Sequence, residues 1–229
     1  MKIEIKKLLK NYDSHCILNI EEMIFESGRI YAVMGPNGSG KTTLLRILSG
    51  LIDITSGELL YQGIKSIHRD QVAYMPQKSY MFNTTVLKNL KIGLKDLNID
   101  NKYLLEALDN VGIKELAHRN ARHLSGGEAQ RVALARVLVL HRDLVLLDEP
   151  ASATDLAGIT RIENYIKKMH KEQKNTIIVT THSPAQAMRL ADEMLFMMHG
   201  EIIEKGDPKN LIKKPTTELL ETFLKNWRI

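Results

Sequence analysis

Ile30-Tyr31-Ala32-Val33-Met34, then Gly35-Pro36-Asn37-Gly38-Ser39-Gly40-Lys41-Thr42, then Thr43-Leu44-Leu45-Arg46-Ile47-Leu48 reads as a strand, a glycine-rich loop and a helix. Five apolar residues in a row are too few for a buried helix and suit a strand covered on both faces. The glycines let backbone N–H groups converge without a Cβ in the way, and the start of the helical run 43–48 adds its partial positive charge. A loop of this spacing in this context cradles phosphate, with residues 35–43 as candidate contacts. Lys41 is placed to reach the β- and γ-phosphates of a nucleotide, and the Thr42 hydroxyl to bind Mg²⁺.

Two more short apolar runs, at 144–147 and 177–180, resemble the first and are flanked by helical patterns. Together they predict an α/β core with a mostly parallel sheet. Residues 2–9 and 17–25 alternate like half-exposed strands, with Gly28 as the turn into 30–34, which predicts an N-terminal antiparallel β portion. Strand signals vanish between 83 and 140, where apolar residues recur at helical spacing, so a helical insertion is expected there. A hairpin over 194–198 and 201–204 and an amphipathic helix near 216–224 complete the pattern. The expected organisation is a single domain over 1–229, with a core of 1–82 and 141–229 and the insertion at about 83–140.

A chain of 229 residues with 44% hydrophobic content is long enough for its own core. Cys16 is the only cysteine, so no intrachain disulfide is possible; a reducing cytoplasmic setting is expected, with the thiol serving packing. The alternating start Met1-Lys2-Ile3-Glu4-Ile5 does not suit a signal peptide, and no apolar stretch approaches the ~20 residues of a membrane span. A formal net charge of +5, scattered along the chain, is compatible with an anionic lipid surface or nucleic acid and equally with solvated helix faces, so charge does not decide function.

Leu144-Val145-Leu146-Leu147-Asp148-Glu149 is a buried strand ending in two carboxylates, at the sheet edge where phosphates bind in open α/β folds. Asp148 suits Mg²⁺, and Glu149 then faces the terminal phosphate as general base for water. Leu124-Ser125-Gly126-Gly127-Glu128, with Gln130-Arg131 behind it and a helix expected from Val132, is a second phosphate-seeking turn of the same physical type.

With these motifs in this order the chain resembles the ATP-binding-cassette ATPases, whose signature is this Leu-Ser-Gly-Gly-Glu loop, over nearly its whole length. The resemblance implies that Tyr12 stacks on adenine, that Gln77 is the Q-loop glutamine near the metal and attacking water, that Ser152-Ala153-Thr154-Asp155 is the D-loop, and that His182 is the switch histidine on the γ-phosphate. Thr154 stands where the family most often has Leu, and Ala151 where it has Thr or Ser, so the fine geometry of the dimer interface is the part least carried over. It implies further that two copies stack head to tail, each ATP lying between one copy's residues 35–43 and the other's Ser125, Gly126, Gly127 and Glu128. The partners implied are transmembrane permease subunits and a solute-binding protein, with the chain peripheral at the cytoplasmic face of the membrane and no nucleic acid expected. The stretch 81–89 resembles importers, in which a cleft, here Met81, Phe82 and Leu87, accepts a permease helix. Residues 116–123 and 183–192 are similar to oxyanion importers, tungstate or molybdate first, phosphate or polar amino acids next. The alternative is a soluble cassette ATPase acting on nucleic acid or the ribosome, against which stand the single cassette and the lack of a heptad arm.

Overall fold

The computed structural model describes residues 1–94 and 99–227. Strands β1 (Ile3–Tyr12), β2 (His15–Phe25) and β4 (Ser56–Tyr61) form an antiparallel sheet in the order β2-β1-β4. Strands β3 (Ile30–Met34), β5 (Val72–Met75), β6 (Leu144–Asp148), β7 (Thr176–Thr181), β8 (Glu193–Met198) and β9 (Glu201–Gly206) form the second sheet, in the order β5-β6-β7-β3-β8-β9. All of its pairings are parallel except β8 with β9. The α/β class and the antiparallel N-terminal portion expected from sequence are both present.

Strands β3, β6 and β7 are buried along their whole length, the β7 threonines and Asp148 included. Side chains alternate across a sheet, so β6 sends Leu144 and Leu146 to one face and Val145 and Leu147 to the other. The first face packs against the antiparallel sheet and α1 (Lys41–Leu48). The second packs against α2 (Val86–Lys91), α3 (Asn101–Asn110), α4 (Gly126–Leu138) and α5 (Leu156–Gln173), so the helical stretch between β5 and β6 shares one apolar core with the sheet. Helices α6 (Pro184–Leu190), α7 (Pro208–Lys213) and α8 (Glu218–Lys225) close the β8 side around Ala32, Met34, Met194 and Phe196.

Four details differ from the sequence reading. Strands β4 and β5 were not anticipated: β4 is only partly buried and β5 has four residues, so neither carries a strong period. Helix α4 starts at Gly126, six residues before Val132, because Ser125 and Glu128 cap it reciprocally, and that bonding outweighs the low helix propensity of two glycines. Helix α1 likewise opens at Lys41, with Gly40 at φ 97° as its N-cap. Cys16 is exposed on the tip of the β1–β2 hairpin and packs into no core.

Candidate functional site

The sheet order puts β5, β6, β7 and β3 side by side, and each runs directly into one piece of the predicted constellation at its C-terminal end. Gln77 follows β5, Asp148 and Glu149 end β6, His182 follows β7, and the glycine loop follows β3. In-register parallel pairing, Asp148 with Thr180 and Met34 with Thr181, holds these ends level. Thr42 and Asp148, 106 positions apart in sequence, therefore meet at one edge, as open α/β sheets arrange their ligand sites.

An open cavity of about 320 Å³ lies there, lined by Ile17, Asn37, Gly38, Ser39, Gly40, Lys41, Thr42, Thr43, Gln77 and Glu149. Two glycines of the loop are obligatory for shape: a Cβ on Gly35 would lie 2.1 Å from the Met197 carbonyl oxygen, and one on Gly40 2.5 Å from Leu18 Cδ2. Lys41 is buried and donates to the Gly35 and Pro36 carbonyls at 2.8 Å each, which spans the loop with its ammonium. Burial pushes that ammonium below the usual lysine range, while Glu149 and Asp148 pull it back up. The Ser39 hydroxyl is buried in the same loop without a hydrogen-bond partner, an unspent donor facing a cradle built for an anion.

Asp148 is buried and takes hydrogen bonds from Thr42 Oγ1 at 2.8 Å and Thr180 Oγ1 at 2.6 Å. The Thr42 hydroxyl from the first turn of α1 and the Asp148 carboxylate from the end of β6 are the oxygen donors a hard divalent cation takes, so this pair fits Mg²⁺. Glu149 has its carboxylate between two groups, accepting from Gln77 Nε2 at 2.9 Å and meeting His182 Nε2 on the other oxygen. Its backbone is at φ 51°, a left-handed conformation uncommon for a residue with a side chain.

The other anion-seeking turn sits elsewhere. Ser125 Oγ accepts from the Glu128 amide at 3.4 Å, and Glu128 Oε2 accepts from the Ser125 amide at 2.7 Å, which holds the Glu128 carboxyl below its usual range. The amides of Gly126 and Gly127, in the first turn of α4, have no acceptor within the helix. None of residues 125–128 lines the cavity. Tyr12 is exposed at the end of β1, outside the cavity lining, with Lys10 Nζ 4.8 Å from its ring centroid. Asp155 is the N-cap of α5, accepting from the Gly158 amide at 3.0 Å, and does not reach the cavity. Of the three residues expected to form a cleft, Met81 and Leu87 are core and only Phe82 is exposed, 41%, packed edge-on to the exposed Tyr80 with Arg136 over its ring. Sequence reasoning missed Thr180, which bonds Asp148 and takes the Glu149 amide at 2.9 Å, and Gln130. Neither carried a clear signal, since Gln130 stands among the polar residues Glu128 and Arg131 and Thr180 is a β-branched residue at home in a buried strand.

Comparison with known proteins agrees with this arrangement. The family model for the ABC transporter domain matches residues 18–152. The tungstate uptake system ATP-binding protein TupC of Peptoclostridium acidaminophilum is 38% identical over 210 residues, covering 89% of this chain and 98% of that protein. The molybdate/tungstate import ATP-binding protein WtpC of Pyrococcus horikoshii is 34% identical, covering 97% of this chain and 67% of that one. Among solved structures, a dimeric ATP-binding cassette in a post-hydrolysis state with ADP and Pi superposes with a TM-score of 0.82 at 26% identity, over 90% of this chain and 98% of that one. A phosphate loop, carboxylate pair and separate signature turn at these positions, in a chain this similar to those proteins, are those of an ATP-binding cassette: the chain belongs to the ABC transporter family.

Proposed function

We propose that this chain is the ATP-hydrolysing subunit of an importer, working as a head-to-tail homodimer whose closure on ATP drives transport through separate permease subunits. The observation that carries the reading is the division of the chain's anion-binding groups. The cavity beside Lys41 and Glu149 lacks residues 125–128, so a phosphate seated there stays open on one side until a second copy brings its α4 N-terminus. Two half-sites bridged by a polyanion close only while the polyanion is intact, and hydrolysis opens them.

Within that frame the chain is one domain over 1–229, core 1–82 and 141–229, with the helical insertion at about 83–140 carrying the signature turn. Residues 35–43 hold the triphosphate, Lys41 supplying charge, and Tyr12 stacks on the base. Thr42, Asp148 and Gln77 hold Mg²⁺, which when bound neutralises phosphate charge. Glu149 takes the proton of the attacking water, Gln77 and His182 fix its two oxygens, and His182 then contacts the γ-phosphate. Ser125, Gly126, Gly127 and Glu128 of one copy close over the other copy's nucleotide, with Asp155 shaping the adjoining loop. The transported solute is an oxyanion of the tungstate or molybdate kind, as in the relatives named above, with phosphate or a polar amino acid the next reading; a solute-binding protein delivers it. Among the described residues no helix is long and apolar enough to cross a membrane, which fits a peripheral subunit at the cytoplasmic face.

Glu149→Gln tests the chemistry. It keeps the side chain's size and should lower turnover about 10²–10⁴-fold, the worth of a positioned base, with ATP binding retained. Unchanged turnover would remove Glu149 from the reaction. Purification of the chain from its native membrane should bring a multi-span permease with it, and recovery with ribosomes or DNA instead would favour the soluble alternative.

A further inference from the structure

Gln130 lies on the second turn of α4, five residues beyond Ser125, and is 3% exposed. All four of its hydrogen-bonding positions are used, and all on the segment that follows β6. Nε2 donates to the Glu149 carbonyl at 2.8 Å and to Ser152 Oγ at 3.1 Å, while Oε1 accepts from the Ala153 amide at 2.9 Å and Thr154 Oγ1 at 3.4 Å. The amide orientation is fixed, because the Glu149 carbonyl can only accept and the Ala153 amide can only donate. On its other side, the Glu149 amide donates to Thr180 Oγ1. Thr180 and Gln130 thus grip the Glu149 peptide groups from two different elements.

That grip bears on the left-handed backbone of Glu149, φ 51°. A non-glycine residue persists in that region where its surroundings over-determine it, and the backbone angle decides where the carboxylate points. Gln130 stands on the helix whose N-terminus, on the function proposed above, closes on the partner's nucleotide. We infer that Gln130 is a positioning residue that sets the Glu149 backbone, and through it the carboxylate, according to the position of the signature helix. Each subunit would then align its own base when its α4 has engaged the nucleotide held by the other copy. The inference rests on Glu149 being the base.

The test uses the full chain with ATP and Mg²⁺, measuring ATP affinity, turnover and ATP-dependent dimerisation for Gln130→Met, Gln130→Glu, Glu149→Gln and the double variant Gln130→Met/Glu149→Gln. Gln130→Met should lower kcat about 10–10²-fold, the scale for a catalytic group displaced by about 1 Å, with ATP affinity changed less than about twofold. Gln130→Glu keeps the acceptor for Ala153 and Thr154 and, while ionised, loses the donations to the Glu149 carbonyl and to Ser152 Oγ. Its kcat relative to the parent chain should be low at neutral pH and recover as pH falls, since the protonated carboxyl donates to the Glu149 carbonyl again. The double variant should turn over no more slowly than Glu149→Gln alone and should still dimerise with ATP. A parental kcat in both Gln130 variants overturns the inference, as does loss of ATP affinity or dimerisation together with kcat, which would mark a merely structural residue. If Glu149→Gln abolishes turnover and the Gln130 variants do not slow it, this inference alone falls; if Glu149→Gln leaves turnover unchanged, the base assignment falls and takes this inference with it.

Discussion

Gly126→Asp, placed in a chain that also carries Glu149→Gln, tests whether one copy's α4 N-terminus closes on the other's nucleotide. A Cβ built on Gly126 meets nothing within 4 Å, so the aspartate fits the free chain without repacking. Gly127 is the wrong position for the same test, because a Cβ there would lie 2.6 Å from the Ala153 carbonyl oxygen and disturb the chain's own loop. Were the closed pair to bring the new carboxylate to about 4 Å from a terminal phosphate, two unit charges at an effective dielectric of about 20 would repel by roughly 4 kcal/mol. Allowing about half of that for screening at physiological salt leaves roughly 2 kcal/mol per site. Two symmetric sites give about 4 kcal/mol, or about a 10³-fold weaker dimer.

The assay is gel filtration with ATP and Mg²⁺ over a range of protein concentrations, with ATP affinity measured alongside. Glu149→Gln alone should collect as a dimer, since its bridge is not consumed. With Gly126→Asp added the chain should bind ATP as before and elute as a monomer at concentrations where the parent is dimeric, whereas Gly126→Ala, neutral and unhindered, should stay close to the parent. A dimer undisturbed by the aspartate would refute the head-to-tail site. So would a monomer that has also lost ATP, because α4 would then belong to the chain's own pocket.

Phe82→Asp should weaken recovery of the permease and leave ATP binding intact, because Phe82 and Tyr80 form an exposed aromatic pair; Leu87→Asp, in the core, should instead lower the yield of folded chain, and equal effects of the two would argue against a docking surface. Acidification should release α8 before the rest. Glu204 is buried, which works to raise its pKa, yet the Thr217 hydroxyl and the Thr217 and Thr216 amides hold its carboxyl below the usual range. A depressed folded pKa contributes stability above the unfolded value, about 4.3, and loses it as pH falls through the folded one. Fluorescence of Trp227, the single tryptophan, should therefore change below about pH 4, and Glu204→Gln should abolish that step.

The parts of the site that were legible in the sequence are those whose chemistry needs a particular residue at the end of a particular strand. Ile30–Met34 and Leu144–Asp148 announce themselves as buried strands, and each leads into a glycine loop or a carboxylate that no packing argument would put there. Strands β4 and β5 were silent because half-exposed or four-residue strands carry little periodicity, and they exist through pairing with β1 and β6. The residues that hold the site in shape were harder still. In the run Val132-Ala133-Leu134-Ala135 the helix advertises its apolar stripe, and Gln130, two residues earlier beside Arg131, reads as an ordinary polar position. Its four bonds go to a loop 19 to 24 residues away, and only the fold brings that loop under it. Thr180 is hidden in the same way, as a β-branched residue that any buried strand would accept, until its hydroxyl is seen donating to Asp148 while accepting from the Glu149 amide. A reacting group is constrained by its chemistry, and so its type survives in the sequence as a motif. A positioning group is constrained only by what the fold sets against it, and a glutamine or a threonine acquires that role from its neighbours in space.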